Sequence, residues 1–237
     1  MSMQGKRVVV IGGASGIGFA VAEQARAQGA QVVLGSSRQA SLDAASARLP
    51  GTTGGRVDLR DETSVAAFFA ATGPFDHLVV TAGDWDFPMR TSVRDLDLGA
   101  ARGLLDVRFW GSLAAVKHAS RTLAKDGSVT LTSGMIAHRP PPGMPLAAAL
   151  GGALEHLARG LATDLAPVRV NAVCPGLVLT EHVQRSYPEA VVQQLVGALP
   201  VPRAASPAEA AQAYLYLMQN GYVTGQVLPV DGGGLLV

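Results

Sequence analysis

The chain has 237 residues, 48% of them hydrophobic and 16% charged, which excludes a disordered chain and suits one compact domain with a full core. Its formal net charge is +1, with no block of like charges, so nothing marks it for nucleic acid or an anionic membrane surface. Cys174 is its one cysteine, which excludes an internal disulfide and fits a reducing cytoplasm. The apolar run at the start, MSMQGKRVVVIGG, is too short for a signal-peptide core. No apolar stretch approaches the ~20 residues of a membrane span.

In chain order, Lys6–Ile11 reads as a strand buried on both faces, because it lacks period-2 alternation. A helix over Gly16–Gln28 follows, and Gly29 stops it. Gln31–Leu34 is the next strand, then a helix over Ser41–Leu49 ended by Pro50-Gly51, and a short strand at Arg56–Leu59. A helix over Glu62–Ala70 leads to the strand Asp76–Thr81. Two long helices are predicted over Leu98–Leu123 and Ala147–Leu165, with the strand Ser128–Thr132 between them. The strands Arg169–Val173 and Gln226–Pro229 complete the pattern. Strand–helix alternation with buried strands predicts an α/β domain, a doubly wound parallel sheet of Rossmann type with helices on both faces. No repeat or linker divides the chain, which predicts a single domain over residues 1–237.

Gly12-Gly13-Ala14-Ser15-Gly16-Ile17-Gly18 joins the first strand to the first helix. Glycines there permit a tight turn and close approach of a phosphate, and the helix offers free N–H groups and the positive end of its dipole. An acid at the end of the second strand would hold the ribose 2′-hydroxyl of NAD; this chain has Gly35-Ser36-Ser37-Arg38 instead. Ser37 and the Arg38 guanidinium suit a 2′-phosphate, so NADP(H) is favoured over NAD(H).

Taken together, these motifs resemble those of the short-chain dehydrogenase/reductase family over nearly the whole chain. The glycine loop matches the family's Thr-Gly-x-x-x-Gly-x-Gly pattern with Ile11 for the threonine, and Thr81-Ala82-Gly83 resembles its Asn-Ala-Gly. Asp58 resembles the aspartate that contacts adenine, with Leu59 beside it. Pro175-Gly176-Leu177-Val178-Leu179-Thr180 is similar to the Pro-Gly loop that holds the nicotinamide amide, and Asp231-Gly232-Gly233 is typical near the C-terminus. The resemblance implies that Gly12, Ala14, Ser15, Gly16, Ile17, Gly18, Ser37, Arg38, Asp58, Leu59, Ala82, Gly83, Pro175, Gly176, Val178 and Thr180 line the cofactor. It also implies a homodimer or homotetramer built on the two long helices, and a small-molecule substrate.

The family's catalytic tetrad is Asn-Ser-Tyr-Lys. Ser133 fits the serine, and Arg108 falls where the asparagine would lie. The tyrosine position falls on Leu146 or Ala147 and the lysine on Leu150 or Gly151; aligning Gly152-Ala153-Leu154-Glu155 with the family helix favours Ala147 and Gly151. Tyr187, Tyr214, Tyr216 and Tyr222 all follow Lys6, Lys117 and Lys125, so no register yields Tyr-x-x-x-Lys.

Hydride transfer to a carbonyl leaves negative charge on oxygen, which a donor must stabilise or protonate. Ser133 can donate a hydrogen bond. Arg108 can stabilise an oxyanion but keeps its protons. His138, just beyond Ser133 in His138-Arg139-Pro140-Pro141-Pro142-Gly143, is of a type suited to acid–base work near neutrality, on a loop stiffened by prolines; its alternative is a surface histidine beside Arg139. Tyr187 is a lid candidate or a wall residue, and Trp85 and Phe87 in Asp84-Trp85-Asp86-Phe87 are candidates for a substrate wall or for core. His118 and His156 read as structural. Leu150, Leu154, Leu157 and Leu161 recur at helical spacing as a packing stripe. Three functions stay open: an NADP(H)-dependent oxidoreductase with a relocated proton donor, a non-redox lyase or isomerase, and a non-catalytic NADP(H)-binding protein. No metal ligand set is expected.

Overall fold

The computed structural model describes residues 2–83 and 90–237. Its central strand, β1 (Arg7–Ile11), is a Val/Ile run buried on both faces, because helices cover both sides of the sheet. It pairs in parallel with β2 (Gln31–Ser36) on one side and β4 (Phe75–Val80) on the other. Beyond β2 lies β3 (Thr53–Arg56); beyond β4 lie β5 (Leu123–Thr132), β6 (Arg169–Pro175) and β7 (Val227–Val230). The order β3-β2-β1-β4-β5-β6-β7 reverses the direction of sheet growth between β1 and β4. At such a reversal a crevice opens outside the carboxyl ends of the strands, where α/β proteins bind ligands.

Alternate strand residues feed two cores, as a period of two requires. Val8, Val10 and Leu34 pack under α1 (Gly16–Ala27), α2 (Gln39–Arg48) and α9 (Pro207–Gln219). Val9, Leu78 and Leu131 pack under α3 (Glu62–Thr72), α5 (Ser112–Ala119) and α6 (Pro145–Asp164). Each such side chain contributes about 1.5–3 kcal/mol on burial, so the two cores supply the main driving force. A third cluster centred on Val192 and Val196 holds α8 (Glu189–Val196), with Leu177, Leu179, Val183 and Tyr187 packed against it. Among the described residues no helix is long and apolar enough to cross a membrane.

Four expectations need correction. The long helix over Leu98–Leu123 is broken: α4 (Leu98–Arg102) ends at Gly103, a π-helical turn spans Asp106–Gly111, and α5 stops at Ala119. Leu123 begins β5, whose pairing with Phe75 carries the strand five residues upstream of the Ser128 expected. β3 lies at Thr53–Arg56 rather than Arg56–Leu59, because Val57 and Leu59 are buried in the α3 and α5 layer beyond the ladder. The segment after the Pro-Gly loop, for which no helix was predicted, forms α7 (Glu181–Ser186), α8 and α9.

Candidate active site

The glycine loop leaves β1 through Gly12, which has φ +87°; a Cβ there would lie 2.6 Å from the Ala82 nitrogen. Only glycine lets this turn press against the strand end at the sheet reversal. Gly16, at φ +55°, starts α1, and the hydroxyl of its N-cap Ser15 bonds to no backbone N–H there. The Gly16 N–H instead donates to Glu181 Oε2 at 3.1 Å, a carboxylate where a phosphate oxygen would sit. Ala14 and Ile17 are half-buried in the loop, and Gly18 is buried against Gly12. The Pro-Gly loop faces this cradle: a Cβ on Gly16 would be 3.1 Å from Thr180 Cγ2. Thr180 Oγ1 accepts from the Val183 N–H at 3.3 Å and caps α7, while the Gly176 N–H donates to Val230 O and Val178 is buried beside Ala205. This cradle fits a dinucleotide phosphate bridge.

At the other end of the trough, Ser37 and Arg38 are exposed beyond β2. Arg56, paired with Ser36 across the β2–β3 ladder, donates from Nε to Ser37 O at 3.1 Å. A second guanidinium thus stands beside the serine; its place only becomes apparent once β3 is put in register. Asp58 Oδ1 accepts from the Arg60 N–H at 3.0 Å, and Leu59 is buried next to it.

Ser133 lies just past β5, 4% exposed, its N–H bonded to Val173 O. Its hydroxyl donates to Glu155 Oε1 at 2.9 Å. His138 Nε2 lies 2.9 Å from the same oxygen. Glu155 is 2% exposed, whereas 42% of the His138 side chain is open to solvent. A buried carboxylate therefore bridges a serine and a surface imidazole. Ala147, Gly151 and Glu155 are four residues apart on α6, so the carboxylate stands one turn beyond the expected tyrosine and lysine positions. Sequence reasoning passed over Glu155. Its signal was an acid inside the stripe of Leu150, Leu154 and Ala158, where a charge has to find donors.

Cys174 closes the cluster: ligand atoms of His138, Glu155 and Cys174 all lie within 4.8 Å of one another. Burial, reinforced by the charges of Glu155 and Asp231, pushes the thiol up to about 11, against an opposing hydrogen bond from Ser133. Metals bind the thiolate, and Glu155 Oε1 already holds two partners, so the group reads as a hydrogen-bonded chain.

A small cavity beside the cluster is lined by Arg108, Ser133, Gly134, Ile136, Ala147, Leu150 and Gly151. Arg108 reaches it from the π-helical turn and lies over Gly83, where a Cβ would come within 2.5 Å of its Nε and Nη2. Arg108, Ser133 and the Ala82-Gly83 segment are thus gathered at the end of the crevice. A larger cleft of about 290 Å³ opens between Leu59 and the Trp110–Lys117 face, but apart from Leu59 it contains none of the expected residues.

The other expected residues are dispersed. The ring of Tyr187 lies 4.7 Å under the Arg90 guanidinium and packs on the α8 cluster. His118 shares Glu62 with Lys117, and His156 turns to Gly152 O on an exposed side of α6. Tyr214 is wholly buried with its hydroxyl 2.8 Å from Thr132 Oγ1; burial pushes its pKa well above the usual phenol range, so it does not replace the missing tyrosine. Asp84, Trp85, Asp86 and Phe87 lie outside the described residues.

A parallel sheet with a glycine cradle at its reversal, faced by a Pro-Gly loop, defines a dinucleotide-binding α/β protein. The family profile described as Enoyl-(Acyl carrier protein) reductase matches residues 12–234. The chain is 37% identical to the short-chain dehydrogenase/reductase ucsE of an Acremonium species, over 99% of this chain and 97% of that one. It is 33% identical to the 3alpha-hydroxysteroid dehydrogenase of Mediterraneibacter gnavus, over 98% of each. Among solved structures, a small-chain dehydrogenase in complex with NADPH matches with TM-score 0.85 at 35% identity, over 99% of this chain and 100% of that one. The MalC Reductase/Diels-Alderase of Malbranchea aurantiaca matches with TM-score 0.91 at 29% identity, over 99% and 98%. The chain belongs to the short-chain dehydrogenase/reductase family and is an oxidoreductase scaffold of that kind.

Proposed function

We propose that this protein is an NADP(H)-dependent oxidoreductase that exchanges hydride with the carbonyl or alcohol carbon of a small molecule, using a site without the Tyr-x-x-x-Lys pair. The observation that carries this reading is the closeness of the two loops: the Gly16 N–H donates to Glu181 at 3.1 Å, and a Cβ on Gly16 would lie 3.1 Å from Thr180 Cγ2, which joins the phosphate cradle to the nicotinamide loop in one trough. Gly12, Ala14, Ser15, Gly16, Ile17 and Gly18 would hold the phosphate bridge, Asp58 and Leu59 the adenine, and Ala82, Gly83, Pro175, Gly176, Val178 and Thr180 the nicotinamide half. Ser37 and Arg38 would take the 2′-phosphate, with Arg56 as a second cation; the solved relative in complex with NADPH supports the same choice. The bound nicotinamide supplies the hydride or accepts it. Ser133 orients the substrate oxygen, Arg108 stabilises the charge that develops on it, and His138 links the site to solvent. We further place the protein in the cytoplasm as a homodimer or homotetramer.

The test is to titrate NADPH by fluorescence and then follow its oxidation across aldehydes, ketones, quinones and imines. Tight binding with turnover of at least one class is expected; binding without any turnover counts against hydride transfer. Arg38→Ala should weaken NADPH by about tenfold, the equivalent of ~1.4 kcal/mol, and leave NADH nearly unchanged. Equal weakening of both cofactors would remove the phosphate assignment.

One observation favours a second reading. The similar fold of a protein named as both reductase and Diels-Alderase supports a lyase or isomerase activity, with Arg108, Ser133 and His138 acting on a held substrate. Product formed without oxidation of NADPH would distinguish it.

A further inference from the structure

The missing pair leaves unanswered how a proton reaches substrate from water. We propose that His138 and Glu155 form a proton relay ending at Ser133, so that a buried carboxylate and a surface imidazole replace the family's tyrosine and lysine. The inference rests on the oxidoreductase reading above and adds Glu155 to it.

The geometry has three parts. Ser133 lines the small cavity with Arg108, Gly134, Ala147 and Gly151, so it is the chain's hydroxyl at the place where the substrate oxygen would lie. Behind it Glu155 Oε1 receives the Ser133 hydroxyl at 2.9 Å and lies 2.9 Å from His138 Nε2. Both distances are within the range in which protons hop between donor and acceptor. The inner member is sealed at 2% exposure, while the outer one is open to solvent, so among the described residues the imidazole links the carboxyl to solvent. A carboxyl without these two donors would be costly to bury, and nothing in sheet or helix packing calls for an acid at this position.

In the reductive direction, protonated His138 gives the proton on Nε2 to Glu155 Oε1, leaving a neutral imidazole and a neutral carboxylic acid. The acid hydrogen turns to Ser133 Oγ as the Ser133 hydroxyl hydrogen passes to the substrate oxygen, while hydride reaches the substrate carbon. Serine ends as it began, Glu155 returns to carboxylate, and His138 takes a proton from water. One hydride and one proton are consumed per carbonyl reduced. Alcohol oxidation is the reverse. Glu155 and His138 act through Ser133 rather than on substrate, so they are positioning residues that also carry charge.

Polar groups from several elements face the carboxyl. Ser133 meets it from the end of β5, His138 from the turn that follows, and Cys174 from β6; Asp231, after β7, acts on Cys174, and Arg108 lies across the cavity. The thiol stays neutral through the working range, because burial pushes it up to about 11.

Glu155→Gln keeps an acceptor oxygen for both donors but cannot pass a proton. It should lower kcat by about 100-fold, with KM and NADPH affinity within about twofold of wild type, and abolish the acid–base limb of the pH profile. His138→Ala should lower kcat by about tenfold, and added imidazole should restore it, since the vacated place opens to solvent; imidazole should not restore Glu155→Gln. In the cofactor-free protein, infrared difference spectra between low and high pH should contain a protonated-carboxyl band that Glu155→Gln removes. Wild-type turnover matched by Glu155→Gln across the pH range, no imidazole rescue of His138→Ala, or no band assigned to Glu155 overturns the relay and leaves the oxidoreductase reading standing. Wild type that binds NADPH and oxidises it with no substrate overturns both. If Glu155→Gln does not fold, imidazole rescue of His138→Ala decides the matter alone.

Discussion

A side chain built at Gly151 runs into Ala137, its Cβ 2.9 Å from the alanine Cβ, closer than real carbons pack. The 3-10 turn Met135–Ala137 has closed onto α6 where a lysine stem would pass, so the turn is filled by a neighbour instead of left as a gap. Gly151→Lys should cost ~1–3 kcal/mol by overpacking, a fall in Tm of roughly 2–4 °C for each kcal/mol. The pair Ala147→Tyr with Gly151→Lys should therefore melt below wild type and gain no turnover. Wild-type melting with higher kcat would mean that the space was open after all. The glycine turn after β1 and the Pro-Gly turn after β6 were legible in the sequence, because both are backbone requirements that leave a mark in the letters. Glu155 was not, since its meaning depends on Ser133 and His138, 22 and 17 residues away, being folded onto it. Arg56 was hidden for a similar reason: only the ladder with Ser36 puts it beside Ser37.

At the scale of elements, α7 does more than follow the Pro-Gly loop. Thr180 caps it, and the next residue, Glu181, places its carboxylate on the Gly16 N–H at 3.1 Å, with Arg48 Nη1 at 3.9 Å. The first turn of α1 has no acid of its own, so Glu181 satisfies a donor that a phosphate needs. An anion at a helix N-terminus is worth ~0.3–1 kcal/mol, and this one has to turn away when a dinucleotide arrives. Glu181→Gln should tighten NADPH by about two- to fivefold and NADH equally, as both share the phosphate bridge. Fluorescence titration reads this directly; weaker or unchanged binding would mean the carboxylate does not compete. The buried strands were plain in the sequence as runs of Val, Ile and Leu. The break in Leu98–Leu123 was not, since an Ala- and Leu-rich run favours helix throughout and the π-helical turn reflects packing against the rest of the fold. The start of α9 was passed over although Ser206-Pro207-Ala208-Glu209 carries a cap pattern in its letters; the structure holds it as a full capping box.

For the molecule as a whole, the two cores on the central strands set its stability, and a buried histidine in the sheet makes part of it depend on pH. His77 on β4 is 5% exposed, and its Nδ1 lies 2.9 Å from Ser128 Oγ. Burial is the main cause that pushes its pKa down to about 4, with Arg169 and Lys6 adding to the shift and Asp76 and Asp126 opposing it. An unfolded histidine titrates near ~6.5, so between about pH 4 and 6.5 the unfolded chain binds a proton that the folded chain refuses. Stability from this group is therefore complete above about pH 6.5 and lost progressively as pH falls towards 4, up to ~3 kcal/mol at the lower end. The carboxylate of Asp76, where burial is outweighed by the Lys6 ion pair and the Arg7 N–H, is lowered instead, so its share is lost only at more acid pH. Urea melts at pH 7 and pH 4.5 should show wild type losing most of that increment. His77→Asn, which keeps a polar partner for Ser128 but cannot take up the proton, should be less stable at pH 7 and markedly flatter across the interval. Parallel pH slopes for the two proteins would mean that the loss comes from carboxylates and that the charge on His77 is accommodated within the sheet.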